Sequence, residues 1–246
     1  MNSNVSLSRL QMFYGALDAL PLLRIIINEE FKEKIALISS FGADAAVMLA
    51  LVAEVNPATP ILFLETQKHF SETLEYARTL TEKLGLTQVH WLTPDPQLVL
   101  NSDAKGDLWD IQPNRCCWLR KVEPLDRAVK ELGIAALITG RKRYQTPERA
   151  EMATIELDDK GIFRINPLAL WDKVRQKEET AKRNLPEHPL VAKGYLSIGC
   201  APCTQPVKEG QDERAGRWAH TIGIEDEQKT ECGIHLPADE VTSWSV

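Results

Sequence analysis

Short apolar runs alternating with helical stretches restrict this chain more than any other feature. Residues 35–38, 61–64 and 134–138 are apolar at nearly every position and too short for helices. A strand apolar on consecutive positions is buried on both faces, the condition of a parallel sheet covered by helices. Between these runs, residues 45–55, 71–84 and 116–132 carry apolar side chains at helical spacing. The expected fold is therefore α/β, a mostly parallel sheet with helices on both faces. Residues 7–17 and 21–31 read as leading packing helices, with Pro21 acceptable in a first turn. Further strands are expected near 88–92, 153–157 and 162–166, a turn at Pro167-Leu168, and a polar helix over 171–184. Residues 93–114 read as a polar connection.

Open α/β sheets bind ligands where their strands end, and three strand ends carry suitable residues. The first run leads into Ser39-Ser40-Phe41-Gly42-Ala43-Asp44 and a helix. A small-residue loop of that kind aims N–H groups and a helix N-terminus at an anion, although serine and glycine also simply cap helices. Glu65-Thr66 follows the second run, and Thr139-Gly140-Arg141-Lys142-Arg143 follows the fourth strand, after 134–138.

Five cysteines form a second pattern. Cys116-Cys117 are adjacent, Cys200-Ala201-Pro202-Cys203 is a CxxC, and Cys232 stands apart. Four sulfurs from a CC and a CxxC suit a tetrahedral or cubane centre, since thiolates select zinc and iron-sulfur clusters. A bond between vicinal cysteines is strained. Lys121, four residues after Cys117, lies about one helical turn away, where its ammonium would offset thiolate charge; the same spacing also fits a surface lysine.

A chain of 246 residues buries enough core to need no disulfide staples. Its start lacks a basic, then apolar leader, and no apolar run approaches a membrane span. Both point to the cytoplasm, where thiols stay reduced, and away from membranes. The net charge of −6 offers no broad basic field for nucleic acid. Two short basic groups, Arg141, Lys142, Arg143 and Arg149, then Lys208, Arg214 and Arg217, suit a small anion better than a duplex. The stretch 185–190 ends the polar helix, and from about 221 the sequence is polar and acidic, read as a mobile tail. One body over 1–220 and a tail over 221–246 carrying Cys232 are expected. No repeat or low-complexity run is present.

Taken together, the motifs resemble the assimilatory adenylylsulfate reductases, in the iron-sulfur branch of the sulfonucleotide reductases. The resemblance rests on Cys116-Cys117 followed by Arg120-Lys121-Val122-Glu123-Pro124-Leu125, on Ser197 to Thr204 leading to Arg214-Ala215-Gly216-Arg217-Trp218, and on Glu231-Cys232-Gly233-Ile234-His235. It spans about 21–236, nearly the whole chain.

That resemblance implies a PP-loop, nucleotide-hydrolase-like (Rossmann-like) domain with one 4Fe-4S cluster on Cys116, Cys117, Cys200 and Cys203. It implies that Ser39, Ser40, Phe41 and Gly42 cradle a phosphosulfate, that Lys121 couples cluster and substrate, and that Arg214 and Arg217 bind oxyanions. Glu65, Thr66, Gly140, Arg143 and Arg149 fall in matching nucleotide-binding loops. Cys232 matches the nucleophile. The reaction implied is reduction of adenosine 5'-phosphosulfate to sulfite and AMP through an S-sulfocysteine, with thioredoxin or glutaredoxin as reductant, in sulfate assimilation and cysteine biosynthesis. The chain departs from the family at Glu65-Thr66-Gln67, Tyr144 and Trp218-Ala219-His220, positions that bear on nucleoside contacts. A homo-oligomer is compatible with this reading.

Other readings differ in what they demand. A 3'-phosphoadenylylsulfate reductase or a dual-specificity enzyme shares the loop and the ECG motif, but its usual members lack the cysteine pairs. A tRNA-thiolating PP-loop enzyme wants an extended basic surface. An iron-sulfur electron carrier leaves Cys232 without a role, a structural zinc would sit on the same four cysteines, and a thioredoxin-like pair would need a strand before the CxxC and a helix after it. His69, His90, His188 and His220 read as structural or surface residues.

Overall fold

The computed structural model describes residues 6–221, 229, 231–236, 241 and 243–245. Its helices are α1 (Leu7–Tyr14), α2 (Ala19–Ile25), α3 (Ala45–Val55), α4 (Ser71–Lys83), α5 (Pro96–Ser102), α6 (Leu108–Ile111), α7 (Pro113–Cys117), α8 (Glu123–Glu131) and α9 (Lys173–Lys182). The strands are β1 (Ile35–Ser39), β2 (Ile61–Leu64), β3 (Val89–Leu92), β4 (Ala136–Ile138), β5 (Ile155–Leu157) and β6 (Phe163–Ile165). They form one sheet in the order β3-β2-β1-β4-β6-β5. Every pairing is parallel except β5 with β6. The α/β expectation therefore holds, with one antiparallel edge where the 158–162 connection is too short for a crossover.

Burial explains the central strands. β1 and β2 are buried at every position. Ile35 and Leu37 join a core shared with α2, α3 and α4, while Ala36 and Ile38 face Leu125 of α8. Such two-sided cover is what parallel strands require. Helix α3 is apolar nearly throughout, with all of residues 46–52 buried, so it serves as an inner layer and leaves its N-terminus facing the strand ends.

Two stretches differ from the sequence reading. Residues 93–114 are not a plain connection: Asp95 caps α5 by accepting from the Gln97 and Leu98 N–H groups, with Pro96 at the first position. Leu98, Val99 and Trp109 then pack on Cys116 and Leu119. The expected helix over 116–132 is broken by a wide π turn at Trp118–Val122. Glu123 N–H reaches back five residues to the Trp118 carbonyl, and Pro124 has no N–H to continue the α ladder. π turns of this kind recur at functional sites, and this one carries Lys121.

The expected tail falls partly outside the described residues. Those described within it pack on the body: Lys229, Glu231, Gly233 and Val241 are buried. Among the described residues no helix is long and apolar enough to cross a membrane.

Of the histidines read as structural, His188 is one. Its Nδ1 accepts from the Leu190 N–H at 3.2 Å, so Nε2 carries the proton and donates to Thr73 Oγ1 at 3.0 Å. Burial pushes its pKa down to about 4. The unfolded chain binds a proton below about 6.5 and the folded one does not, so stability is lost as pH falls from about 6.5 toward 4. Urea unfolding should show on the order of 1–2 kcal/mol lost between neutral pH and about pH 5. His188→Asn should be less stable at neutral pH and show a shallower loss.

Candidate active site

The ends of β1, β2 and β4 open on one cleft of about 230 Å3. At β1, Phe41 takes a left-handed backbone, φ 47°, a strained conformation for a bulky residue. Its fully buried ring packs edge-on against Phe63 at 5.0 Å, and its N–H donates to Ser39 Oγ at 3.1 Å. Packing thus holds the turn that exposes Ser40 and Gly42 to the cleft. A Cβ on Gly42 would lie 2.9 Å from the Ile198 carbonyl. Only glycine there lets the Ser197–Cys200 stretch close over the loop.

That stretch is stitched across the strand ends. The Ala201 N–H donates to the Lys68 carbonyl at 2.7 Å, and Thr66 Oγ1 lies 3.2 Å from Cys200 Sγ. Thr204 pairs with Arg217 as an isolated antiparallel bridge, and the Gln205 N–H donates to the Gly216 carbonyl at 2.9 Å. The Arg217 guanidinium therefore lies beside Gly199 and 4.4 Å from the buried Trp218 ring. Arg217 Nη1 donates to Ser197 Oγ at 3.4 Å, and its buried Nε has no hydrogen-bond partner among the described residues. Burial, with Arg217 and Arg149 nearby, lowers the Arg214 pKa to about 10. Crowded, desolvated guanidiniums of this kind favour an incoming anion.

Cys232 lines the same cleft. Its thiol is held well below the ordinary range, first by a hydrogen bond from Cys117, then by Lys121, the Ile234 N–H and Lys229, against the cost of burial. Cys117 is pushed up correspondingly and keeps its proton. Burial alone would depress Lys121, but the Cys200, Cys232 and Cys117 sulfurs hold its ammonium well above the usual value. A cation beside a low-pKa thiol is the environment of a reactive cysteine.

The expected cluster is corrected by this geometry. Cys116, Cys117, Cys200 and Cys203 do line one small cavity. Among the described residues, however, no group of three or more His, Cys, Asp or Glu side chains is arranged to hold a metal ion. The sulfurs have other partners: Cys117 is turned to Cys232 and Cys200 to the Thr66 hydroxyl. Burial also pushes Cys116 to about 11 and Cys203 to about 12, so both are protonated thiols. The one-4Fe-4S expectation, the metal-binding role of these four cysteines and the assignment to an iron-sulfur branch are thereby overturned. What remains is a buried thiol layer behind Lys121.

Other expected residues divide. Ser39, Ser40, Gly42, Lys121, Gly140, Arg149, Arg214, Arg217 and Cys232 all line the cleft; Phe41, Glu65, Thr66 and Arg143 do not. Glu65 accepts from the Gln67 N–H at 2.8 Å, and Arg143 Nε donates to the Met152 carbonyl at 2.8 Å. His69 was read as structural but lines the cleft, its Nε2 2.9 Å from the Leu64 carbonyl; burial lowers its pKa to about 4, so it is neutral there. Sequence reasoning missed Gln145, Lys173 and Glu231, which also line the cleft. The available signal for Glu231 was its place beside Cys232.

A mostly parallel sheet whose strand ends meet in one cleft lined by Lys121, Arg149, Arg214 and Arg217 has the form of an α/β nucleotide-binding fold. Comparison with known proteins narrows this. Residues 34–206 match the phosphoadenosine phosphosulfate reductase domain, and the chain belongs to that family. It is 45% identical over 242 residues to an adenosine 5'-phosphosulfate reductase of Chelativorans sp. (strain BNC1), covering 98% of this chain and 95% of the relative. It is 34% identical over 213 residues to a phosphoadenosine phosphosulfate reductase of Emericella nidulans, covering 84% of this chain and 68% of the relative. Among solved structures, phosphoadenylyl-sulfate reductase from Candida auris, in a phosphate complex, superposes with a TM-score of 0.68 at 26% identity, covering 82% of this chain and 96% of that one. An FMN adenylyltransferase from Candida glabrata, TM-score 0.54 at 17% identity, with 92% of this chain and 78% of that one covered, shares the fold.

Proposed function

We propose that this chain is an oxidoreductase that reduces adenosine 5'-phosphosulfate to sulfite and AMP in sulfate assimilation. The observation that carries the reading is that Cys232 lines the same cleft as Lys121, Arg214 and Arg217 in a member of this family. The thiolate attacks the sulfur of the phosphosulfate, a new S–S bond forms, and the S–O bond to phosphate breaks. AMP leaves with that electron pair, and a sulfonate remains on Cys232. Lys121 and Arg217 face the charge that develops on the leaving phosphate and the sulfonate oxygens, and fixed cations at such positions are a large source of rate. The Ser39–Gly42 turn and the N-terminus of α3 receive the phosphate.

Release of sulfite needs two electrons. A dithiol protein of the thioredoxin or glutaredoxin type supplies them: one thiolate attacks Cys232 Sγ and expels sulfite, and its second thiol resolves the mixed disulfide. The five cysteines of this chain are free thiols, which suits a reducing cytosol. We read 1–220 as the substrate-binding body and the segment from 221 as the carrier of the nucleophile.

Steady-state sulfite release with adenosine 5'-phosphosulfate and with its 3'-phosphorylated form, each with reduced thioredoxin, tests the reading. A kcat/KM higher for the first donor is expected; no sulfite from either donor, or a strong preference for the second, contradicts it. A local prediction concerns Gly199, where an added Cβ would stand 2.4 Å from Arg217 Nη2. Because the clash is with the flexible end of a side chain, Gly199→Ala should fold normally yet displace the guanidinium. KM for the sulfonucleotide should rise roughly tenfold, as for loss of one charged contact, with little change in unfolding midpoint.

A further inference from the structure

Glutamate is almost never buried unless it is paired, and Glu231, directly before Cys232, is 7% exposed. Its partner is Arg149: Nε donates to Oε1 at 2.5 Å and Nη2 to Oε2 at 2.7 Å. Thr146 Oγ1 donates to Oε1 at 3.4 Å. A fork-to-fork pair fixes direction as well as distance. A buried pair adds little net stability, and its best-attested use is to set register.

The pair does not end at Arg149. Arg149 Nη1 donates to Gln145 Oε1 at 2.5 Å, and Gln145 Nε2 donates to Asp44 Oδ2 at 3.4 Å. Asp44 precedes α3 and also accepts from Lys142 Nζ at 3.2 Å. Hydrogen bonds thus run from the phosphate-facing turn to the residue beside the thiol. On the other side of Cys232, a Cβ on Gly233 would meet Val122 Cγ2 at 3.1 Å and the Trp244 ring at 2.5 Å. Cys232 is therefore held from both sides, by charge before it and by close packing after it.

We infer that Glu231 is a positioning residue for the nucleophile: the Arg149–Glu231 pair sets Cys232 over the cleft and ties that setting to the phosphate-facing turn through Gln145 and Asp44. This rests on the proposed role of Cys232. The hydrogen bonds of the pair run to Thr146 and Gln145 and not to the thiol. The pair acts by fixing where the thiolate points, and a misplacement of about 1 Å costs a transfer reaction up to about 100-fold.

The test uses the full chain and two readouts. Without substrate, hydrogen exchange is followed in peptides covering residues 231–236 and, as a control, β1 and β2. With adenosine 5'-phosphosulfate, the single-turnover rate of sulfonate transfer to Cys232 is followed by intact mass, and Kd for AMP is measured separately. Glu231→Gln should speed exchange over 231–236 at least about tenfold, leave β1 and β2 unchanged, and slow transfer roughly 10- to 100-fold with Kd for AMP within about threefold. Glu231→Asp should recover part of the rate, and Gln145→Ala should slow transfer by a smaller factor. Unchanged exchange and transfer in Glu231→Gln would overturn the inference. So would faster exchange without slower transfer, or tighter AMP binding as the sole effect, which would make Glu231 an internal competitor for Arg149. A wild-type chain that never acquires the sulfonate would instead defeat the proposed function, while the exchange readout still reports whether the pair holds the segment.

Discussion

Replacing Cys232 by serine is expected to lower kcat/KM for sulfite formation by at least about 1,000-fold, roughly 4 kcal/mol of transition-state stabilisation. The thiol is held well below its ordinary pKa by the Cys117 hydrogen bond and by Lys121, the Ile234 N–H and Lys229, so it enters the reaction as thiolate. A serine hydroxyl in the same place keeps its proton near neutral pH, and an un-ionised alcohol is a weak nucleophile. The residues proposed to receive the anion, Ser40, Gly42 and Arg217, line the cleft from other elements. AMP should therefore bind Cys232→Ser within about threefold of the wild-type Kd by equilibrium titration, since every cation of the cleft is left in place. A variant that retained a tenth or more of the wild-type rate would place the chemistry on another residue.

The second large effect concerns Lys121. Its ammonium is held by three nearby sulfurs and lines the cleft, so two roles are proposed for it, on the thiolate and on the developing charge of the substrate. Lys121→Met should slow transfer about 100-fold, the usual scale for one electrostatic group. The pH dependence separates the two roles. Cys232 has a lowered pKa, so activity in the wild type is lost only as pH falls through that lowered value. Without the cation the thiol pKa rises, and the loss begins at higher pH. The acidic limb of the kcat/KM profile and of iodoacetamide alkylation should both move upward in Lys121→Met and return most of the way in Lys121→Arg. A slower variant with an unmoved acidic limb would confine Lys121 to substrate contact.

Much of the sheet was legible because its signal is local. Residues 35–38, Ile61–Leu64 and Ala136–Ile138 are apolar on consecutive positions, and a run of that length has few alternatives to a buried parallel strand. The cleft at their ends followed from topology, and Ser39, Ser40, Gly42 and Gly140 were found there for that reason. Helix α5 was hidden inside a polar stretch although Asp95-Pro96 carries a cap and a first-turn proline, because the helix is short and buries none of its own residues.

The cysteines show the opposite limit. A CC and a CxxC give spacing, and spacing is compatible with a metal centre, but the protonation and partners of each sulfur depend on what is packed around it. Cys117 meets Cys232 from more than a hundred residues away, and Cys200 meets Thr66 from another loop. Burial that raises Cys116 and Cys203 is likewise a tertiary property. The Arg149–Glu231 pair joins positions 82 residues apart, and neither residue type announces its partner. Local propensity finds elements; only packing decides which side chains share a dry space.

Cys232 is the residue proposed to receive the sulfonate. Incubating the reduced full chain with adenosine 5'-phosphosulfate in the absence of any other thiol, then measuring intact mass and mapping peptides, tests it most directly. One added SO3 group per chain is expected, located on the peptide containing Cys232 and removed by reduced thioredoxin with release of sulfite. An unmodified chain under conditions where AMP is released, or the same group found on Cys116, Cys117, Cys200 or Cys203, would contradict it.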